Sequence, residues 1–136
     1  AKLAEIAETM GRPPSLLLVE DEPLIAMDTS EALQELGFRV EVASTGTEAL
    51  NLFRRRSSGI DAAIVDFGLP DMKGDALIRE LRGLNVRLPI LVASGGDPVE
   101  IRRLLPNDAA IGFVGKPYRE ADLLSALAAM GLRPKA

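Results

Sequence analysis

The sequence predicts an α/β fold: a doubly wound, five-stranded parallel sheet in the order 2-1-3-4-5, with helices on both faces. Three observations predict it. Short apolar runs alternate with stretches of helical spacing five times along the 136 residues. Runs such as Leu16-Leu17-Leu18-Val19 and Ile90-Leu91-Val92-Ala93 are apolar without alternation, as strands buried on both faces should be. A chain of this length forms one domain with a sizeable core.

The elements follow in order. Residues Ala1 to Met10 place Leu3, Ile6, Ala7 and Met10 at helical spacing, and Gly11-Arg12-Pro13-Pro14 breaks that pattern. Residues 1–14 therefore read as an N-terminal extension or linker, with a short helix that packs on a partner or neighbouring domain as the sharper alternative. Ser15 to Val19 is the first strand. Pro23 suits the first turn of the helix that follows, and the acids Glu20, Asp21 and Glu22 suit its positive end. That helix runs from Leu24 to Leu36 with Ile25, Thr29, Ala32 and Leu36 on one side, and Gly37 stops it.

Phe38 to Ala43 alternates and reads as a less buried strand. Thr45 or Thr47 caps the next helix, which ends near Arg56, and Thr45-Gly46-Thr47-Glu48 partly matches a capping box. Ile60 to Val65 is a third strand ending at Asp66. A helix over Asp75 to Arg82 is closed by Gly83-Leu84-Asn85, and Leu88 to Ala93 is the fourth strand. Asp97 caps a short helix that Pro98 opens and Pro106-Asn107 ends. Ile111 to Val114 is the fifth strand. The last helix, Arg119 to Met130, carries Leu123, Leu124, Leu127 and Ala128 and stops at Gly131. The domain is thus expected over 15–131 and a tail over 132–136.

Composition narrows the function. Hydrophobic residues make up 47% and charged residues 26%, a globular profile, and the net charge of −4 argues against nucleic-acid binding by the domain itself. There is no cysteine, which excludes disulfides and thiolate zinc sites and fits a reducing, cytoplasmic setting. There is no histidine, which excludes a phosphohistidine donor, a Ser-His-Asp hydrolase and a His-ligated metalloenzyme. No apolar run approaches the ~18 residues of a membrane span, and no signal-peptide pattern appears.

The chemistry-bearing residues fall after different strands. Glu20 and Asp21 follow the first, Asp66 ends the third, Ser94 follows the fourth and Lys116 the fifth. In the expected strand order they share one edge of the sheet, at the switch point beside strand one. Three carboxylates without histidine favour a hard, oxygen-liking cation such as Mg2+, and without one they repel each other. Lys116 offsets part of that repulsion and can reach a phosphoryl oxygen. Ser94 offers a hydroxyl donor to another. Asp66, between them, reads as a nucleophile that accepts a phosphoryl group. Singly, each residue has a plainer reading: a solvated helix start, a turn, a surface corner, a loop cap. The joint pattern disfavours that plain account.

Four segments carry a family resemblance: Leu17-Leu18-Val19-Glu20-Asp21-Glu22, Ile64-Val65-Asp66-Phe67-Gly68-Leu69-Pro70-Asp71-Met72-Lys73-Gly74, Pro89-Ile90-Leu91-Val92-Ala93-Ser94-Gly95 and Gly112-Phe113-Val114-Gly115-Lys116-Pro117-Tyr118. From about Ser15 to Met130 the chain resembles the receiver domain of two-component response regulators, a flavodoxin-like fold. The resemblance implies that Asp66 is phosphorylated by a phosphohistidine on a histidine kinase or histidine phosphotransfer protein. It implies Mg2+ held by Glu20, Asp21, Asp66 and the backbone carbonyl of Gly68, and a phosphoryl group gripped by Ser94 and Lys116. Ser94 and Phe113 match the hydroxyl and aromatic positions that move together on activation; the plain reading of Phe113 is an ordinary strand residue. A domain of this kind is a signalling phosphoacceptor, not an enzyme, and assists its own phosphorylation and dephosphorylation. A homodimer through the fourth helix, fifth strand and fifth helix belongs to the same expectation, as does the absence of nucleic-acid and membrane partners.

The sequence departs from the family at Gly68 and Gly96, two residues beyond Asp66 and Ser94, where many members carry side chains. The loop Ser94-Gly95-Gly96-Asp97-Pro98 is similar to that of an atypical receiver subgroup with a mobile fourth helix. Three other readings were weighed. A haloacid-dehalogenase-type phosphatase needs a second aspartate where Gly68 stands. A nucleotide switch needs a Gly-x-x-x-x-Gly-Lys-Ser/Thr loop, which is missing. A non-phosphorylated interaction module on the same fold is the alternative that fold alone leaves open. The tail after Gly131 favours a single-domain or terminal receiver.

Overall fold

The computed structural model describes residues 12–105 and 107–134, with Ser57 described by its backbone alone. Residues 1–11 of the expected N-terminal extension, with the alternative of a short helix there, and the role of Pro106 lie outside the described residues. Five parallel strands, β1 (Ser15–Val19), β2 (Arg39–Ala43), β3 (Ala62–Asp66), β4 (Ile90–Ser94) and β5 (Ile111–Gly115), form one sheet in the order β2-β1-β3-β4-β5. Five helices alternate with them: α1 (Pro23–Glu35), α2 (Gly46–Arg56), α3 (Gly74–Leu84), α4 (Pro98–Leu104) and α5 (Glu120–Ala129). A short 3-10 turn, Ser57–Gly59, leads into β3.

The period of two along the strands divides the core into two layers. Leu17, Val19, Ala63, Val65, Ile90 and Val92 face Ala49, Leu50 and Phe53 of α2, Leu77, Ile78 and Leu81 of α3, and Ile101 of α4. Leu16, Leu18, Ala62, Ile64 and Leu91 face Leu33 of α1 and Leu123 and Leu127 of α5. β1 and β3 are buried along their whole length, whereas β2, on the edge, buries only Ala43. That is why the first and third strands read as unbroken apolar runs and the second alternates.

Small differences from the expected elements have local causes. β4 begins at Ile90, after Pro89, which has no N–H for the ladder; the Pro89 carbonyl still accepts from the Ala63 N–H at 3.0 Å. β3 begins after Asp61, whose carboxylate accepts from the Ser15 N–H at 2.7 Å and pairs with Arg12 at 3.0 Å. Pro14 is buried, and its carbonyl accepts from the Arg39 N–H at 2.8 Å, so residues 12–14 pack on the sheet. α1 buries Ala26, Thr29 and Leu33, a face turned slightly from the expected stripe, and leaves Ile25, Ala32 and Leu36 half-buried. Gly37 and Gly131 stop α1 and α5 at φ of 102° and 85°, a region open to glycine. Gly83 instead lies inside α3, and Asn85 closes that helix by donating its N–H to Leu81 at 2.9 Å. No helix among the described residues is long and apolar enough to cross a membrane.

Candidate functional site

The parallel order brings the carboxyl ends of β1, β3, β4 and β5 together at one edge of the sheet. Glu20, Asp21 and Asp66 each offer an oxygen, and these oxygens lie within 4.8 Å of one another. Glu20 is 2% and Asp66 7% exposed, values that charged side chains rarely show without partners. Lys116 supplies the partner: its Nζ lies 2.9 Å from Glu20 Oε1 and 3.2 Å from Asp66 Oδ1.

Backbone donors hold the rest. The Gly68 N–H donates to Asp66 Oδ1 at 3.1 Å, and the Glu22 N–H donates to Glu20 Oε2 at 3.2 Å. Glu20 is fixed from behind by its own N–H, which donates to the Ala43 carbonyl at 3.0 Å. Gly68 itself is exposed.

Burial pushes Glu20 above the ordinary glutamate range, against the Lys116 and Glu22 donors, and the nearby charge of Asp66 adds to the rise. Burial also acts to raise Asp66, but the Gly68 N–H, a contact with Glu20 and the Lys116 ammonium outweigh it and hold Asp66 below the usual range. Burial acts to lower Lys116, and its two carboxylate partners outweigh that and raise it. The cluster therefore keeps Asp66 ionised and Lys116 charged, and works against the ionised form of Glu20. Three clustered carboxylate oxygens, two of them from buried residues, suit a hard divalent cation, and among the described residues they form the one such acidic group.

On the other side, Ser94 ends β4 half-buried, and its Oγ accepts from the Gly96 N–H at 3.0 Å. The Ser94 carbonyl accepts from the Lys116 N–H at 2.9 Å, which ties the ends of β4 and β5 together. The Lys116–Pro117 peptide is cis. Phe113 is half-buried against the α2–α3–α4 core layer, with the Arg102 guanidinium 4.5 Å from its ring centre.

Two groups near the site had no sequence signal. The Tyr118 hydroxyl meets the Thr29 hydroxyl at 3.0 Å, which satisfies a buried threonine of α1. Asp71, in the loop after β3, accepts hydrogen bonds at the start of α2 from the Gly46 N–H at 2.8 Å, the Thr47 N–H at 2.9 Å and the Thr47 hydroxyl at 2.8 Å. Thr45 is the local cap of that helix, its Oγ1 accepting from the Glu48 N–H at 3.1 Å. Glu48 reaches back to Ser44 rather than to Thr45, so the capping box is displaced by one residue.

Comparison with known proteins agrees with this geometry. Residues 16–128 match the response regulator receiver domain family. The sensor kinase CckA of Brucella abortus is 35% identical over 117 residues, which cover 86% of this chain and 12% of that protein. The probable transcriptional regulatory protein TcrX of Mycobacterium tuberculosis is 32% identical over 120 residues, covering 88% of this chain and 50% of that one. The chain thus spans about half or less of the length of these relatives. Among solved structures, the chemotaxis protein CheY4 of Vibrio cholerae superposes with a TM-score of 0.80 at 28% identity, over 86% of this chain and 98% of that one. The matched span takes in every carboxylate, hydroxyl and ammonium at the sheet edge, and the chain belongs to the response regulator receiver domain family.

Proposed function

We propose that this receiver domain accepts a phosphoryl group on Asp66 from a phosphohistidine of a partner histidine kinase or histidine phosphotransfer protein. The observation that carries the reading is Asp66 itself: buried at the end of β3, ionised, and held by Lys116 and the Gly68 N–H. In the transfer, a carboxylate oxygen of Asp66 forms the new P–O bond as the donor's N–P bond breaks, and the departing imidazole takes its proton from solvent. Lys116 already lies against Asp66 and would follow the charge onto the phosphoryl oxygens. The Ser94 hydroxyl, turned to accept from the Gly96 N–H, would rotate to donate to one of them.

Glu20, Asp21 and Asp66 are the carboxylates that would hold Mg2+, and the family resemblance adds the carbonyl of Gly68. When bound, the cation neutralises charge that the chain's own lysine cannot neutralise alone. The domain acts here as a phosphoacceptor that assists its own phosphorylation and dephosphorylation. Because Ser94 interacts differently with the bare and phosphorylated site, the phosphoryl group biases the surface of α4, β5 and α5, where Arg102 lies over Phe113.

The test is intact-mass analysis after incubation with a small phosphodonor and Mg2+. One phosphoryl group is expected on the wild type and none on Asp66→Asn. Equal phosphorylation of both would move the acceptor elsewhere, and none on either would favour an unphosphorylated interaction module.

A further inference from the structure

We infer that Asp71 is a positioning residue for the phosphoryl site, acting through the loop that carries Gly68. The inference rests on the role just proposed for Gly68. That residue has no side chain and is exposed, so its carbonyl is placed by the chain on either side and by its own N–H, which donates to Asp66 Oδ1. On one side the placement is short, because Asp66 is fixed in β3 and the Phe67 N–H donates to the Ala93 carbonyl at 3.0 Å. On the other, Leu69 is buried in the core, and beyond it the chain must cross from Pro70 to Lys73 over mostly exposed residues.

Two contacts hold that crossing to α2. The Asp71 carboxylate takes three hydrogen bonds from Gly46 and Thr47. The Met72 side chain lies so close over Gly46 that a Cβ there would come within 2.5 Å of Met72 Cγ. Three donors on one carboxylate, two of them otherwise unpaired first-turn N–H groups, make a charge-assisted clamp. The clamp joins α2 to the loop, so a shift of either displaces Gly68. Thr45 caps the same helix without touching the loop, which separates the two roles.

The experiment compares Asp71→Ala with Thr45→Ala in the full chain. Both should lower the urea midpoint, because both remove helix-cap acceptors, and Asp71→Ala the more because it removes three hydrogen bonds. Only Asp71→Ala should weaken Mg2+ binding, by roughly tenfold, the low end for outer-shell partners of a metal site. In the metal-free protein only Asp71→Ala should raise the mobility of the Gly68 amide, read by its 15N relaxation and exchange. Asp71→Asn, which keeps one acceptor oxygen, should fall between wild type and Asp71→Ala in both readouts. If Asp71→Ala binds Mg2+ as Thr45→Ala does and leaves the Gly68 amide unchanged, Asp71 is a helix cap and nothing more. Wild-type protein that binds no Mg2+ would overturn the metal role of Gly68 instead, and the Gly68 amide in the metal-free protein would still decide the role of Asp71.

Discussion

The two loops that frame the site are held very differently. After β3, the chain is pinned at Leu69 in the core, at Asp71 and Met72 on α2, and at Gly74, whose N–H donates to the Phe67 carbonyl at 3.2 Å. It then enters α3, which buries Leu77, Ile78 and Leu81. After β4, residues 95–100 are all exposed, and α4 spans only 7 residues with Ile101 as its one buried side chain. At ~1.5–3 kcal/mol per fully buried aliphatic side chain, α3 is attached more firmly than α4. Its other ties are the buried Leu105 that ends it, Arg102 over Phe113, and Arg79 donating to the Leu104 carbonyl at 2.8 Å. One half of the site is built to hold three carboxylates in place against their repulsion. The other is held by fewer buried side chains, so opening it locally costs less.

Lys116 joins the halves, so its loss should have the largest effect. Its backbone belongs to the β4–β5 side and its ammonium to the β1–β3 side. Lys116→Met should slow phosphorylation of Asp66 by about a hundredfold, the scale for removing one preorganised charge donor from a reacting site. The rate of mass gain with a small phosphodonor measures it. A loss of less than about threefold would mean that the metal and Ser94 suffice, and that the bridge between the halves is structural only.

How much of this was legible in the sequence depends on distance along the chain. Strands buried on both faces announce themselves, because nothing polar interrupts Leu16 to Val19 or Ile90 to Ala93. The start of α4 was legible from Asp97-Pro98, and Asp97 does cap it, accepting from the Val99 N–H at 3.0 Å. The sheet-edge cluster was legible because each member sits where a strand ends, and the strand order then fixes their meeting. The Asp71 clamp was not. Leu-Pro-Asp reads as a turn, and its partners lie 24 and 25 residues earlier, on an element whose angle to the loop no local pattern gives. Arg102 over Phe113 and Thr29 against Tyr118 were hidden for the same reason: each joins side chains from different elements, and helix or strand period says nothing about such a pairing.

The contrast between the loops can be read directly at two glycines. A Cβ on Gly74 would come within 2.8 Å of the Phe67 Cα, a backbone atom that cannot step aside. A Cβ on Gly95 would meet nothing within 4 Å, and Gly95 does not need positive φ. Gly74→Ala should therefore cost about 2 kcal/mol, as overpacking does. Gly95→Ala should be neutral or stabilising by up to ~1 kcal/mol, through the unfolded state. Urea midpoints test both. Equal costs at the two positions would erase the distinction between a packed loop and an open one.

A modest effect is predicted at the opposite edge of the sheet, where the halves are stapled together. Arg82 of α3 donates to Asp108, just before β5, and to the Leu88 carbonyl, just before β4. This staple ties the chain just before β4 to the chain just before β5. The Arg82 guanidinium, with the Ala110 N–H at 2.8 Å, holds the Asp108 carboxyl below the usual aspartate range. A carboxyl whose folded pKa is depressed stabilises the fold fully above its unfolded pKa, and the contribution fades as pH falls through the folded value. Asp108→Asn should thus be less stable than wild type by about 1 kcal/mol at pH 7, a modest figure because the pair is partly solvated. That gap should stay constant down to about pH 5 and close below about pH 4, as the wild-type carboxyl takes up its proton. Urea midpoints of both proteins from pH 7 to 3 measure the gap. If it persists unchanged at pH 3, the stabilisation comes from the shape of the Asp108 turn and not from its charge, and the two halves are joined there by packing alone.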